Sequence, residues 1–394
     1  MTLPSPAGTD RHEAIIARSV HGLEWVCAWE ACTAAGVQGG VELSRREVGF
    51  DVEAVGRGLL AFRTADDVFL KLADVDGVGA AKGDLPALGR AATGLDWERA
   101  LRNLRAVRNV PEHGSFDVVA SLEGRRSYNR FAVEKWIGLA LAPVLGAKFL
   151  ERDGGTRAGG ETDITVRVFV RGEQATIAVR LGSRPLHRRA YKVSTGPGTL
   201  HPPVAAALAV IGAPAAGVVL DPFCGDGTIA IEAALTRRGL TIVASDIDPA
   251  RVQNARQNAR RADVEIDVQE ADAAVVAEKF SDVDAIITNP PWNQAVAAGG
   301  RLQASGRRFW DSLSRILGPD GVLCLLTDVG LDGPELIAER GWQLGMKQRI
   351  RLAGRVADVS LAAPPGRPAP ALPAGLADWR EEALARGVVT ETGF

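Results

Sequence analysis

Four short stretches of this chain hold residue types that could do chemistry together: "LDPFCGDGT" at 220–228, "SDID" at 245–248, "EAD" at 270–272 and "TNPPW" at 288–292. In the first, an apolar run ends on Asp221 and Phe223 follows. Gly225 and Gly227 then permit a tight turn and close backbone approach to a ligand, before a helix opens at Thr228. This is a nucleotide-binding turn by its physics. It is not a phosphate-cradling P-loop, because no Gly-Lys-Ser/Thr follows, and the third glycine of the dinucleotide fingerprint is missing. In the second stretch, Asp246 ends a strand with Ile247 beside it, where a carboxylate can hold both hydroxyls of a ribose. Asp272 closes the next strand, near where an adenine ring would lie. The fourth stretch stops a strand on a side-chain amide, a rigid diproline and a large aromatic: Asn289, Pro290, Pro291 and Trp292. Each acid alone reads more simply as a helix cap, and the prolines alone as a strand stop. All four stretches, however, follow the carboxyl ends of successive strands. In a doubly wound sheet those ends share one edge, so the side chains converge on one crevice.

The elements that must position them alternate. From about 204 the chain reads as strand, Gly loop and helix ("GVVLDPFCGDGTIAIEAAL"), then a strand ("TIVASDID"), a helix ("PARVQNARQNARRA") and three more strands. That pattern implies an α/β, Rossmann-like, mostly parallel sheet over 204–361. The part before it, 12–182, mixes strands and helices and suggests an α+β half. There, a strand and then a helix carrying Leu23, Val26 and Cys27 are expected within 12–37, with Gly36 as its stop. Short strands are expected near 46–50 and 58–64, a helix capped by Thr64 near 64–72, a strand at 115–122 followed by a five-turn helix, and a hairpin over 163–181. Trp25, Trp29 and Trp136 fall on apolar helical faces and are expected in the core. Residues 183–203 read as a basic linker, and 362–394 as a Pro-rich linker with a short amphipathic tail.

Composition narrows the class. With 394 residues, 46% hydrophobic and 24% charged, the chain is an ordinary globular one. It has no apolar run of the roughly 18 residues that a membrane span needs and no secretory signal, so a cytoplasmic protein without a membrane partner is expected. Cys27, Cys32, Cys224 and Cys324 form no CxxC pair and the histidines do not cluster, so no metal site is expected. The formal net charge of −2 does not announce a nucleic-acid binder, but two local patches lack acids. One holds Arg184, Arg188, Arg189 and Lys192, the other Lys347, Arg349, Arg351 and Arg355. Either could follow a phosphate backbone or be a solvated basic loop.

"DPFCGDGT", "SDID" and "NPPW" together resemble the signature of class I S-adenosylmethionine-dependent methyltransferases that act on exocyclic amino groups. "LHRRAYK" and "GTIAIEAAL", with "SFDVVASLEGRRSYNRFAVEKWIGLAL" in the first half, narrow the resemblance to THUMP-domain RNA guanine-N2-methyltransferases. The likeness covers most of 14–360. It departs at Asp226, where serine is commoner, and at Trp292-Asn293, where tyrosine and glycine are usual.

The resemblance implies S-adenosylmethionine as cofactor, held by Asp221, Phe223, Gly225, Gly227, Thr228, Asp246, Ile247, Asp272 and Asn289. It implies a catalytic Asn289-Pro290-Pro291-Trp292, RNA guided by Arg184, Arg188, Arg189 and Lys192, and a ferredoxin-like plus THUMP-like half gripping RNA away from the target base. Transfer RNA is favoured over ribosomal RNA as partner, and a monomer is expected. Ribosomal guanine, an adenine amino group or a protein glutamine amide would suit the same tetrad. A silent RNA-binding or assembly protein is the reading from a different class.

Overall fold

The structure, a computed structural model, describes residues 12–37, 39–153, 156–157, 161–193, 196, 198–291, 306–331, 333–352 and 354–391. The first half contains strands β1 (Glu13–Ser19), β2 (Val41–Ser44), β3 (Glu47–Val52), β4 (Ala65–Asp76), β5 (Ser115–Glu123), β6 (Lys148–Phe149), β7 (Arg152–Asp153), β8 (Thr156–Arg157), β9 (Ile164–Arg171) and β10 (Gln174–Arg180). Its helices are α1 (Glu24–Thr33), α2 (Leu85–Thr93), α3 (Trp97–Val107) and α4 (Arg130–Leu145). Among the described residues, eight of these strands form one sheet in the order β2-β3-β1-β4-β10-β9-β5-β6. Strand pleating sorts the side chains. Ile15 and Ala17 of β1, Val68 and Leu70 of β4, and Val166 and Val168 of β9 join the core that α1 to α4 cover. Ile16, Phe69, Phe169 and Ala178 form a small cluster on the opposite face.

Two local expectations fail here. Residues 64–72 form the start of β4, not a helix. The run is apolar on both faces because β4 lies in the middle of the sheet, and such a run fits either element. The apparent cap, Thr64, donates its hydroxyl to Glu30 of α1 instead. The stretch expected as a strand near 58–64 is instead a single turn of 3₁₀-helix at Arg57–Ala61. Trp25 is fully buried as expected, but Trp136 is an exposed side chain on the outer face of α4.

The second half follows the expected alternation: α5 (Pro202–Gly212), β11 (Gly217–Asp221), α6 (Thr228–Thr236), β12 (Leu240–Asp246), α7 (Pro249–Ala262), β13 (Asp267–Glu270), β14 (Val283–Thr288), α8 (Gly306–Ile316), β15 (Leu317–Asp328), α9 (Gly333–Glu339), β16 (Gln343–Leu352), β17 (Arg355–Ala363) and α10 (Ala374–Ala385). The sheet order is β13-β12-β11-β14-β15-β17-β16, parallel from β13 to β15 and closed by the antiparallel hairpin β16–β17. The order in which successive strands are added reverses between the parallel neighbours β11 and β14, the switch point where a crevice opens.

The halves share one core. Every residue of α5 is buried, as its sequence "PPVAAALAVIG" requires of a helix apolar all round, and α5 touches α1, α6, β14 and β15. The backbone N–H of Arg351 donates to the carbonyl of His21 at 2.9 Å, which docks the β16–β17 hairpin onto the turn before α1. A Cβ on Gly22 would lie 2.2 Å from the Arg349 carbonyl oxygen, so this approach requires glycine. The tail does not trail away from the body: α10 returns to α1 and buries Leu376 and Ala383 completely.

Candidate active site

A cleft of about 1100 Å³ lies over the carboxyl ends of β11, β12, β13 and β14. It is lined by Asp221, Phe223, Gly225, Thr228, Asp246, Ile247, Asp272, Asn289, Pro290 and Pro291. The sequence-derived residues therefore converge as their strand ends require. Gly227 supports the loop from beneath, at φ 83°, where a side chain would press on Ala255 of α7. Trp292 lies outside the described residues.

The loop after β11 is held by its neighbours. The Asp246 carboxylate accepts from the backbone N–H of Gly225 at 2.9 Å and of Asp248 at 3.0 Å. Each oxygen keeps a further lone pair toward the cleft. Asp272 caps the following turn by accepting from the Ala274 N–H at 2.9 Å. Asp221 accepts from the Thr288 hydroxyl at 2.8 Å and from the Phe223 N–H at 3.2 Å, through one oxygen only. Its other oxygen, Oδ2, is buried without a partner among the described residues. Burial pushes the Asp221 carboxyl up to about 7. Among the described residues, Asn289 Oδ1 is likewise buried without a partner. A buried acceptor with no donor is costly, and both atoms belong to residues that line the cleft. Burial raises the Cys224 thiol well above its ordinary range, which suits packing under the loop better than nucleophilic attack.

These groups fit S-adenosylmethionine. Asp246 can take a ribose diol, the half-exposed Ile247 offers an apolar face within the cleft, and Asp221 Oδ2 is an acceptor for an ammonium. Fold and site together define a class I S-adenosylmethionine-dependent methyltransferase.

Asp226, the departure from the usual serine, has a local reason. It is nearly fully buried and accepts from Gly196 N–H (3.1 Å), Thr199 Oγ1 (2.5 Å), Arg251 (2.9 Å) and Asn254 (3.2 Å). Burial alone would raise its carboxyl, but these donors hold it below the usual range. Asp226 thus pins the end of the linker to α7.

The basic linker divides. Arg184 and Arg188 are exposed, and Arg188, Arg189 and Lys192 border the cleft. Arg189 is placed differently from the RNA-binding role expected of it. Its guanidinium donates to Glu232 Oε1 at 2.9 Å and to the carbonyls of Leu186 and Arg63, and only 8% of the side chain is exposed. Glu232, fully buried on α6, also accepts from Arg63 and Tyr191, so Arg189 is a strut between the halves. Lys192 donates to the Leu200 carbonyl at 3.1 Å, and burial pushes its ammonium down to about 8. The second patch divides too: Lys347 and Arg349 pair with Asp358, whereas Arg351 and Arg355 line the cleft.

Residues that the sequence did not mark also line the cleft: Arg46 and Asp66 of the first half, and His187 of the linker. Asp66 accepts from His201 at 2.7 Å and lies 3.6 Å from the Arg46 guanidinium. The only signal in the sequence was an acid pair, Asp66-Asp67, ahead of an apolar run.

Comparison with known proteins agrees with this site. A family model described as UPF0020, RMKL-like, methyltransferase domain, matches residues 189–357. A tRNA (guanine(6)-N2)-methyltransferase of Thermus thermophilus is 36% identical over 250 residues, which is 62% of this chain and 68% of that protein. A tRNA (guanine(10)-N2)-dimethyltransferase of Methanothermobacter thermautotrophicus is 36% identical over 149 residues, 36% of this chain and 43% of that one. The crystal structure of TrmN from Thermus thermophilus superposes with a TM-score of 0.71 at 30% identity, covering 89% of this chain and 99% of that one. The chain belongs to the family of RNA guanine-N2-methyltransferases that these proteins represent.

Proposed function

We propose that this protein transfers a methyl group from S-adenosylmethionine to the 2-amino group of a guanosine in tRNA. The observation that carries the reading is the buried, unpartnered Asn289 Oδ1 beside the cofactor crevice. The guanine amine is a weak nucleophile because its lone pair is delocalised into the ring. Asn289 Oδ1 and the Pro290 carbonyl can accept its two N–H hydrogens, which frees the lone pair and stabilises the positive charge that develops as nitrogen bonds carbon. The diproline fixes these acceptors before substrate arrives. S-adenosylmethionine, when bound, would supply the electrophilic methyl and leave as the neutral thioether, and the methylated amine would shed a proton to water. Trp292 is assigned to stacking on the base, worth about 1–3 kcal/mol. A paired guanine must first be flipped out of its helix. The relatives named for tRNA guanine modification support tRNA as the partner. In this reading residues 12–182 form the ferredoxin-like and THUMP-like RNA-gripping part and 204–361 the catalytic part of a cytoplasmic monomer.

The test is methyl transfer from labelled S-adenosylmethionine to unmodified tRNA and, separately, to rRNA, with nucleosides identified by mass spectrometry. Label in N2-methylguanosine from tRNA, lost in Asn289→Ala, is the expected result. Label in rRNA alone would move the substrate. Cofactor binding without label in either RNA would end the RNA reading.

A further inference from the structure

The face of the N-terminal sheet turned away from α1 to α4 has no helix on it among the described residues, and it carries four guanidinium groups. Arg18 of β1 lies 4.7 Å from the Phe169 ring centroid, and Arg167 and Arg171 of β9 lie 4.9 Å and 5.7 Å from it. Arg180 of β10 lies 5.8 Å from the Phe69 centroid. We propose that this face is an RNA-binding surface on which Arg18, Arg167 and Arg171 hold backbone phosphates of the strand leading away from the target base. The proposal rests on the reading of the protein as an RNA methyltransferase.

Three observations carry it. The first is an imbalance of charge. Glu47 pairs with both Arg18 (2.9 Å) and Arg171 (2.6 Å), and Asp67 pairs with Arg180 (2.6 Å). Glu47 and Asp67 thus pair with three of the four cations, while Arg167 makes no hydrogen bond or ion pair among the described residues and feels Asp67 and Glu134 only through space. The second is burial. Arg167 is half-buried, and desolvation, reinforced by Arg18 and Arg180, pushes its guanidinium down to about 10. Stacking on Phe169 holds the group in place but satisfies none of its five donors. An anion delivered from outside would do so, and a phosphodiester matches a guanidinium fork in geometry as well as charge. The third is continuity. Arg46 lines the cleft, precedes Glu47 in the chain, and is close enough to Arg18 to lower its pKa. The basic surface therefore runs from the Asn289 cleft past Arg46 to Arg18 and the β9 arginines. None of these first-half cations belongs to either sequence patch, and Arg46 is partnered by Asp66.

The decisive variant is Arg167→Gln in the full chain, because it breaks no bond that the fold makes. Its affinity for unmodified, transcribed tRNA should fall about tenfold, the loss of one charged hydrogen bond. The slope of log affinity against log salt should shrink by about one. Thermal stability should hold or rise, and S-adenosylmethionine affinity and kcat at saturating RNA should be unchanged. Arg90→Gln, on the helix-covered side, is the charge control and should leave RNA affinity as it is. Unchanged affinity and slope in a folded Arg167→Gln protein would overturn the proposal, as would an equal loss in Arg90→Gln. Displacement of RNA by inorganic phosphate at constant ionic strength would assign the site to a free anion instead. Asn289→Ala separates the two readings: it should slow transfer about 10²–10³-fold while leaving RNA affinity and its Arg167 dependence intact.

Discussion

The Thr288 hydroxyl donates to Asp221 Oδ1 at 2.8 Å, tying the last residue of β14 to the last residue of β11. Both side chains are buried, and Asn289 is the next residue along the chain. This bond therefore sets the start of the Asn-Pro-Pro turn against the cofactor loop. It couples the residue proposed to accept from the amine to the floor of the proposed cofactor crevice across the switch point of the sheet.

Asn289→Ala should cost about 10²–10³ in kcat, the usual loss on removing one preorganised transition-state partner. S-adenosylmethionine affinity, measured by calorimetry, should stay within a few-fold of wild type. Asn289→Asp retains an acceptor of the same shape and should keep more activity than Asn289→Ala. Equal inactivity of the two would remove the hydrogen-bonding role assigned to Oδ1.

Asp221 makes cofactor binding depend on pH. Its folded pKa, about 7, lies above the value of an unfolded carboxyl, so the folded chain holds this proton more tightly. The stability this contributes is fully present below about pH 4 and is lost as pH rises through about 7. A cationic ligand group beside Oδ2 favours the carboxylate, so S-adenosylmethionine should bind more tightly as pH rises through 7 and should release a proton there. Calorimetry in buffers of different ionisation enthalpy reads that proton directly. Binding heat that is independent of the buffer at pH 6 would contradict the assignment, and Asp221→Asn should show that independence.

The catalytic half was legible because strand–loop–helix repeats put chemistry at strand ends, and the sheet carries every such end to one edge. Asp221, Asp246, Asp272 and Asn289 needed no long-range information beyond that rule. The first half was less legible because β4 is apolar on both faces, which hides the period that separates strand from helix. Charged residues were least legible of all. Arg188 and Arg189 are neighbours in the chain and both border the cleft, yet Arg188 is exposed and Arg189 is spent on a glutamate that lies 43 residues away in sequence. Nothing local distinguishes them, because the difference is made by α6 packing against the linker.

That difference separates two arginine variants. Arg189→Ala leaves Glu232 buried with fewer donors, and breaking such a pair costs about 3 kcal/mol or more. A lowered melting temperature is expected, with RNA affinity of the folded protein little changed. Arg188→Ala should do the reverse, weakening RNA binding without moving the melting temperature. Thermal denaturation and filter binding on the same preparations decide it, and a melting loss in Arg188→Ala would show that the whole linker is structural.

Asp226 offers a test whose sign follows from its donors. Its carboxyl is held below the ordinary range in the folded chain, so its contribution to stability is present above about pH 4 and is lost as pH falls through the folded value. Asp226→Asn keeps the size of the side chain but turns a donor toward Arg251 and loses the ion pair at 2.9 Å. At neutral pH the variant should be less stable by about 2–3 kcal/mol, the range for hydrogen bonds to charged groups. Below pH 4 the unfolded chain's carboxyl takes up its proton while the folded one still resists, so the gap between the two stabilities should narrow as pH falls toward the folded value. Denaturant unfolding at pH 7 and at pH 3 measures both ends. A gap that stays constant across that range would mean that the donors hold Asp226 through its shape and not its charge, and Asp226→Ser would then be the more disruptive change.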